Sequence, residues 1–143
     1  MKVSIMVEPS RQEPEAVIYT ERVTEEVRQA EALLLGGFLN GYSGERVTRL
    51  PFSELIRVYG ESRKVYAQTA DGLYLLHQRL YELDTLLGTQ RFLRISNAEI
   101  VNSAAIRHLD ISLAGTIGVE LSGGIRTYAS RRYVKKIREL LGL

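Results

Sequence analysis

Cysteine is absent from the chain, and with it go a disulfide framework, a thiolate nucleophile and any cysteine-ligated zinc or iron centre. Histidine is nearly as scarce. His77 and His108 each fall inside or at the end of an apparent strand, the setting of a packed or solvent-facing residue rather than of a metal ligand or catalytic base. No apolar run approaches the roughly 18 residues of a membrane span, and the N-terminus lacks the basic region and apolar block of a secretory signal. A cytoplasmic protein without metal or cofactor is the expectation. What remains is 143 residues, enough for one domain with its own core.

Charge is unevenly spread. Residues 1 to 37 hold 4 basic and 7 acidic side chains, net −3, whereas residues 38 to 143 hold 15 and 10, net +5. A basic module behind an acidic extension suits a polyanion-binding domain with an accessory element, although ordinary domains carry basic surfaces too. In the extension, Val3, Ile5 and Val7 alternate with Lys2, Ser4 and Met6, and Ala16 to Thr20 is apolar and β-branched, so two strands are expected. Thr20 or Thr24 then caps a helix bearing Val23, Val27, Ala30 and Leu34, stopped by Gly36-Gly37. This β-β-α unit is too small to bury a core alone, and packing on the module or on a second subunit follows.

From Phe38 onward short strands dominate. Phe38 to Tyr42 and Arg46 to Leu50 read as a hairpin around Ser43-Gly44, and Phe52 to Leu55 as a single helical turn. Ile56 to Gly60, Lys64 to Ala70 and Leu73 to His77 form a meander in which Asp71-Gly72 is the strongest turn signal and Glu61-Ser62-Arg63 makes a basic tip. Arg79 to Leu87 is a helix ended by Gly88. Strands around Leu109 to Leu113, Ile117 to Leu121 and Ile125 to Ala129 complete an α+β fold dominated by antiparallel β.

Two polar clusters stand out. The first, R-F-L-R-I-S-N-A-E-I-V-N-S-A-A-I from Arg91 to Ile106, opens as a strand and breaks at Ser96-Asn97. Ser96 and Glu99 have the spacing of a capping box, which predicts a short helical turn through Ile100 and Val101 with Asn97 exposed at its start. The second, A-S-R-R-Y-V-K-K-I from Ala129, begins a helix with Ser130 as N-cap and Val134, Ile137 and Leu141 as the buried stripe. Arg131 and Arg132 occupy its first turn, where the helix dipole disfavours cations and the free N–H groups favour an anion. A phosphate-binding end and a merely solvated basic face both fit those residues.

Together the two clusters resemble the LytTR DNA-binding domain of bacterial transcription regulators, over roughly residues 38 to 143. The resemblance implies a mainly antiparallel β fold with a C-terminal helix that lays loops into successive major grooves of double-stranded DNA. Carried over by position, it assigns base contacts to Lys64, Asn97 and Arg132, in keeping with the pairing chemistry of those side chains. Arg63, Arg94, Ser96, Ser130, Arg131, Lys135 and Lys136 become candidates for phosphate contacts that position without reading sequence. The resemblance further implies a homodimer on direct-repeat sites. Only 37 residues precede the module, so the phosphoacceptor domain many members carry is not expected here. Regulators of this short build resemble a subgroup held in check by a small membrane protein, so the extension is expected to serve dimerisation or inhibitor docking.

Other classes fare differently. An enzyme needs a nucleophile with a base, or a carboxylate cluster, and neither spacing occurs, so no small-molecule substrate is expected. A single-stranded nucleic-acid or RNA module, which would want stacking aromatics beside a basic groove, and a non-enzymatic protein-interaction domain stay open.

Overall fold

Short β-branched and aromatic runs separated by two-residue turns can satisfy their backbone groups mainly by antiparallel pairing. The computed structural model describes residues 1–34, 36–88, 91–111 and 115–143. Helix α1 (Glu25–Leu34) precedes strands β1 (Phe38–Ser43), β2 (Arg46–Pro51), β3 (Arg57–Glu61), β4 (Lys64–Thr69) and β5 (Gly72–Leu76). After helix α2 (Leu80–Leu87) come β6 (Phe92–Ser96), β7 (Glu99–Asn102), β8 (Ile106–Asp110), β9 (Ile117–Leu121), β10 (Ile125–Ala129) and helix α3 (Arg131–Leu141). One sheet has the order β2-β1-β5-β4-β3-β7-β6 and the other β10-β9-β8. No helix among the described residues is long and apolar enough to cross a membrane.

Two cores result. Leu39, Leu50, Val58, Ala67 and Ile100 on one face of the larger sheet pack with Leu83 of α2. Leu93, Ile95 and Val101 of that sheet meet Ile117, Leu121 and Ala129 of the smaller sheet and Ile137 of α3. Successive strand residues point to opposite faces, so β7 sends Ile100 into the first core and Val101 into the second. All four residues of β7 are buried.

The fold class is the one expected, with two corrections. Glu99 to Val101 is strand, not helical turn: Asn97-Ala98 closes a β6–β7 hairpin in which Ser96 pairs with Glu99. The Ser96 hydroxyl accepts from Ala98 N–H at 3.2 Å, a local turn bond in place of a capping box. Burying Ile100 and Val101 contributes about 1.5–3 kcal/mol each, against about 1 kcal/mol for a cap, so burial in two cores prevails over the local cap. The second correction concerns the extension, where Thr24 caps α1 as expected but residues 2–7 and 16–20 belong to no strand. Val3, Ile5 and Val7 are more than four-fifths exposed. Their alternation is suited to pairing, and no strand among the described residues pairs with them. The strand expected to reach Leu113 ends at Asp110, and residues 112–114 lie outside the described residues.

Asn102 locks the end of β7 where it meets both cores. Its side chain donates from Nδ2 to the Leu55 carbonyl at 2.8 Å and accepts at Oδ1 from Ala104 N–H at 3.0 Å, while only 2% exposed. Asn102→Ala strands both backbone groups, so stability should fall by about 1–3 kcal/mol. Urea unfolding checks this: the midpoint should drop with the slope unchanged.

Candidate nucleic-acid interface

Three short tips share one end of the module. The β3–β4 hairpin turns at Ser62-Arg63, since Glu61 pairs with Lys64. Both turn residues have positive φ, 49° and 64°, as a tight hairpin demands at its two central positions. Beside it lies the β6–β7 tip, because Gly60 N–H donates to the Ala98 carbonyl at 2.8 Å. The two hairpins are neighbours in the sheet, which sets their tips roughly 10 Å apart, on the scale of a major groove.

The start of α3 closes the row. Ile95 sits at a bulge in β6, and its carbonyl accepts Ser130 N–H at 2.8 Å. The Tyr133 hydroxyl reaches back to donate to Asn97 Oδ1 at 2.8 Å. Asn97 is thereby held between Lys64 and Arg132, with its amide nitrogen left as a donor. The Arg131 side chain lies over Gly115, whose added Cβ would come within 3.1 Å of its Nε, so Gly115 borders this end too.

The expected site residues divide by what holds them. Arg63, Lys64, Asn97, Arg131, Arg132, Lys135 and Lys136 are exposed. None of the six cations among them has a salt-bridge partner within the described residues. Arg132 stands 5.9 Å over the Tyr133 ring. Arg94 is turned inward: it donates to the Ser96 carbonyl at 2.8 Å, the Asn97 carbonyl at 2.6 Å and Asp84 at 3.1 Å, shaping the Asn97 tip from behind. Ser96 makes the turn bond already described. Ser130 occupies the N-cap position without a side-chain cap bond, which leaves first-turn N–H groups open to an anion.

Other contributors carry no signal in the motifs. Tyr133, Glu99 and Thr127 reach partners 28 or 36 positions away in sequence, and no local spacing announces such contacts.

Fold and site define a β-rich module with exposed cations, unpaired among the described residues, at one end. It is not a helix-turn-helix, since strands separate each described helix from the next. The model of the LytTr DNA-binding domain matches residues 45–142, and the chain belongs to this DNA-binding family. A transcriptional regulator of Staphylococcus aureus strain bovine RF122 / ET3-1, named as HTH-type, is 37% identical over 105 residues, covering 73% of this chain and 71% of its own. Its counterpart in strain MRSA252 is 36% identical over the same length. The LytTr DNA-binding domain of a Bacillus cereus response regulator superposes with a TM-score of 0.71 at 23% identity, covering 74% of this chain and 97% of that one. That likeness shows the fold.

Left-handed backbone at Arg63 strains a side-chain-bearing residue by roughly 1–2 kcal/mol. Arg63→Gly should relieve it, raising stability by up to about 1 kcal/mol. The same change should weaken binding to every duplex alike. Thermal unfolding beside a filter-binding titration reads the two opposite signs.

Proposed function

We propose that the chain is a sequence-specific, double-stranded-DNA-binding transcriptional regulator that inserts its tips into successive major grooves. The observation that carries this is the row itself: Lys64, Asn97 and Arg132 at one end of the fold, with Asn97 pinned between the other two by Gly60–Ala98 and Tyr133–Asn97 bonds. Arg132 donates bidentately to a guanine edge, Asn97 offers its amide to an acceptor on a base, and Lys64 meets a guanine edge or a phosphate. Arg63, Arg131, Lys135 and Lys136 meet phosphates and set register. Ser96, Ser130 and Arg94 act from behind, on the shape of the tip and the open helix start.

The single-stranded reading finds less support. Tyr59 and Tyr66 pack on one another at 5.6 Å and Arg57 lies 4.3 Å over Tyr59, so these rings are engaged rather than presented for stacking bases.

Assembly belongs to the extension. Val3, Ile5, Met6, Val7, Tyr19, Val23, Leu33 and Leu34 are each more than half exposed there. Eight such side chains amount to a surface on the order of the ~800 Å² that each partner of a standard interface buries. We read residues 1–37 as the dimerisation element of a homodimer on direct-repeat sites, and as the docking point for a small membrane-protein inhibitor.

Arg132→Ala should cost about 1–3 kcal/mol at the preferred site and flatten discrimination among single-base variants. Arg131→Ala should weaken all duplexes about evenly and lower the salt slope by about one unit. Competition binding on a duplex selected from a random pool separates the two, and an Arg132→Ala protein with undiminished preference refutes the base-reading role. Removal of residues 1–37 should leave half-site binding intact and abolish cooperativity on paired sites. Sedimentation and two-site titration check this; unchanged mass and cooperativity remove the dimerisation role.

A further inference from the structure

Glu99 is the one acidic residue in the buried set among the described residues. It sits two positions after Asn97, in the middle of the seam between the two sheets. Its Oε2 accepts from Arg57 Nη1 of β3 at 3.1 Å, and its Oε1 accepts from the Thr127 hydroxyl of β10 at 2.6 Å. Arg57 is itself fixed, donating from Nε to Gln68 Oε1 of β4 at 2.8 Å. One carboxylate thus ties β7 to β3 within the larger sheet and to β10 of the smaller one.

Both ends of that tie lead to the DNA-facing row. Glu99 follows the Asn97-Ala98 turn directly, and β10 runs from Thr127 through Ala129 into Ser130, Arg131 and Arg132. A buried ion pair is a poor stabiliser, since desolvating both charges offsets most of their attraction, and its better-attested use is to select one register over near alternatives. Apolar contact between Val101, Ile117 and Ala129 holds the sheets together without direction, whereas the Glu99–Thr127 bond, like those of Ser130 with Ile95 and of Tyr133 with Asn97, is directional.

We propose that Glu99, through Thr127, is a positioning residue that sets the spacing between Asn97 and the Arg131–Arg132 helix start, and hence which base pairs are read together. The proposal rests on the DNA-binding reading above. Arg57 supplies the countercharge that allows the carboxylate to be buried.

The test uses Thr127→Val, which keeps the shape of the side chain and leaves the Glu99–Arg57 pair intact, together with Thr127→Ser, which restores the hydroxyl. The probe is a duplex selected from a random pool by the wild-type chain, with a matched set of single-base variants. Thr127→Val should stay folded, lose roughly tenfold in affinity for the selected duplex, keep the wild-type salt slope and lose preference at the bases read by both elements. Thr127→Ser should recover all of it. The absence of native cysteine also allows spin labels at introduced cysteines replacing Ala98 and Lys135, and the distance distribution between them should broaden in Thr127→Val without any DNA present. Wild-type selectivity and an unchanged distance distribution in Thr127→Val overturn the proposal. Failure of the wild-type chain to select any duplex sinks the DNA-binding reading, and the label distances then judge the spacing role alone.

Discussion

The end of the module that carries the three tips depends on a backbone hydrogen bond made possible by a flaw in a ladder. Between Arg94 and Ser96 the β6–β7 register shifts, so Ile95 is left out of the pairing, and its carbonyl is free to take Ser130 N–H at 2.8 Å. Bulges often occur where a strand must serve something other than its neighbour. Here the served element is α3, whose start this bond fixes together with the Tyr133–Asn97 and Glu99–Thr127 contacts. Ile95, Ala129 and Ile137 around the bond are at most 2% exposed, and exclusion of water strengthens it. The Tyr133–Asn97 bond then finds its partner at the right distance.

Positive charge in this module serves two purposes that a count cannot separate. Arg57 and Arg94 are engaged inside, against Glu99 and Asp84. Arg63, Lys64, Arg131 and Arg132 stand at the surface with no ion-pair partner among the described residues. Three of these positions are mildly unfavourable: Arg63 in left-handed backbone, Arg131 and Arg132 against the helix dipole at about 0.3–1 kcal/mol each. Penalties gathered at one end of the module fit the proposed binding role rather than a contribution to stability.

Local rules made much of the fold legible. The β3–β4–β5 meander, α2 with its Gly88 stop, and α3 with its Ile137 stripe depend on turns and periodicities that lie within a few residues. Legibility ended where distance in sequence took over. The Ser96–Glu99 spacing is a true local signal for a cap, but β7 has a core on each face, and that fact lives in β3, β9 and α2 rather than in the motif. For the candidate site, the motifs could name residues but not their arrangement. Its Tyr133–Asn97 and Glu99–Thr127 contacts join residues that no spacing relates.

The strand order also places the extension relative to the tips. The extension joins the module through Gly37, whose carbonyl accepts Phe52 N–H at 3.0 Å, and Gly37 leads into β1. In the strand order β1 lies five places from β6, roughly 24 Å away across the sheet. It also runs in the telling direction. Tyr42 pairs with Leu75, and the neighbouring Leu76 pairs with Val65, next to Lys64. The start of β1, not its end, therefore lies at the level of the tips. The extension, with Val3, Ile5, Leu33 and Leu34 exposed, therefore enters at the same end of the larger sheet as the tips, across its width from β6.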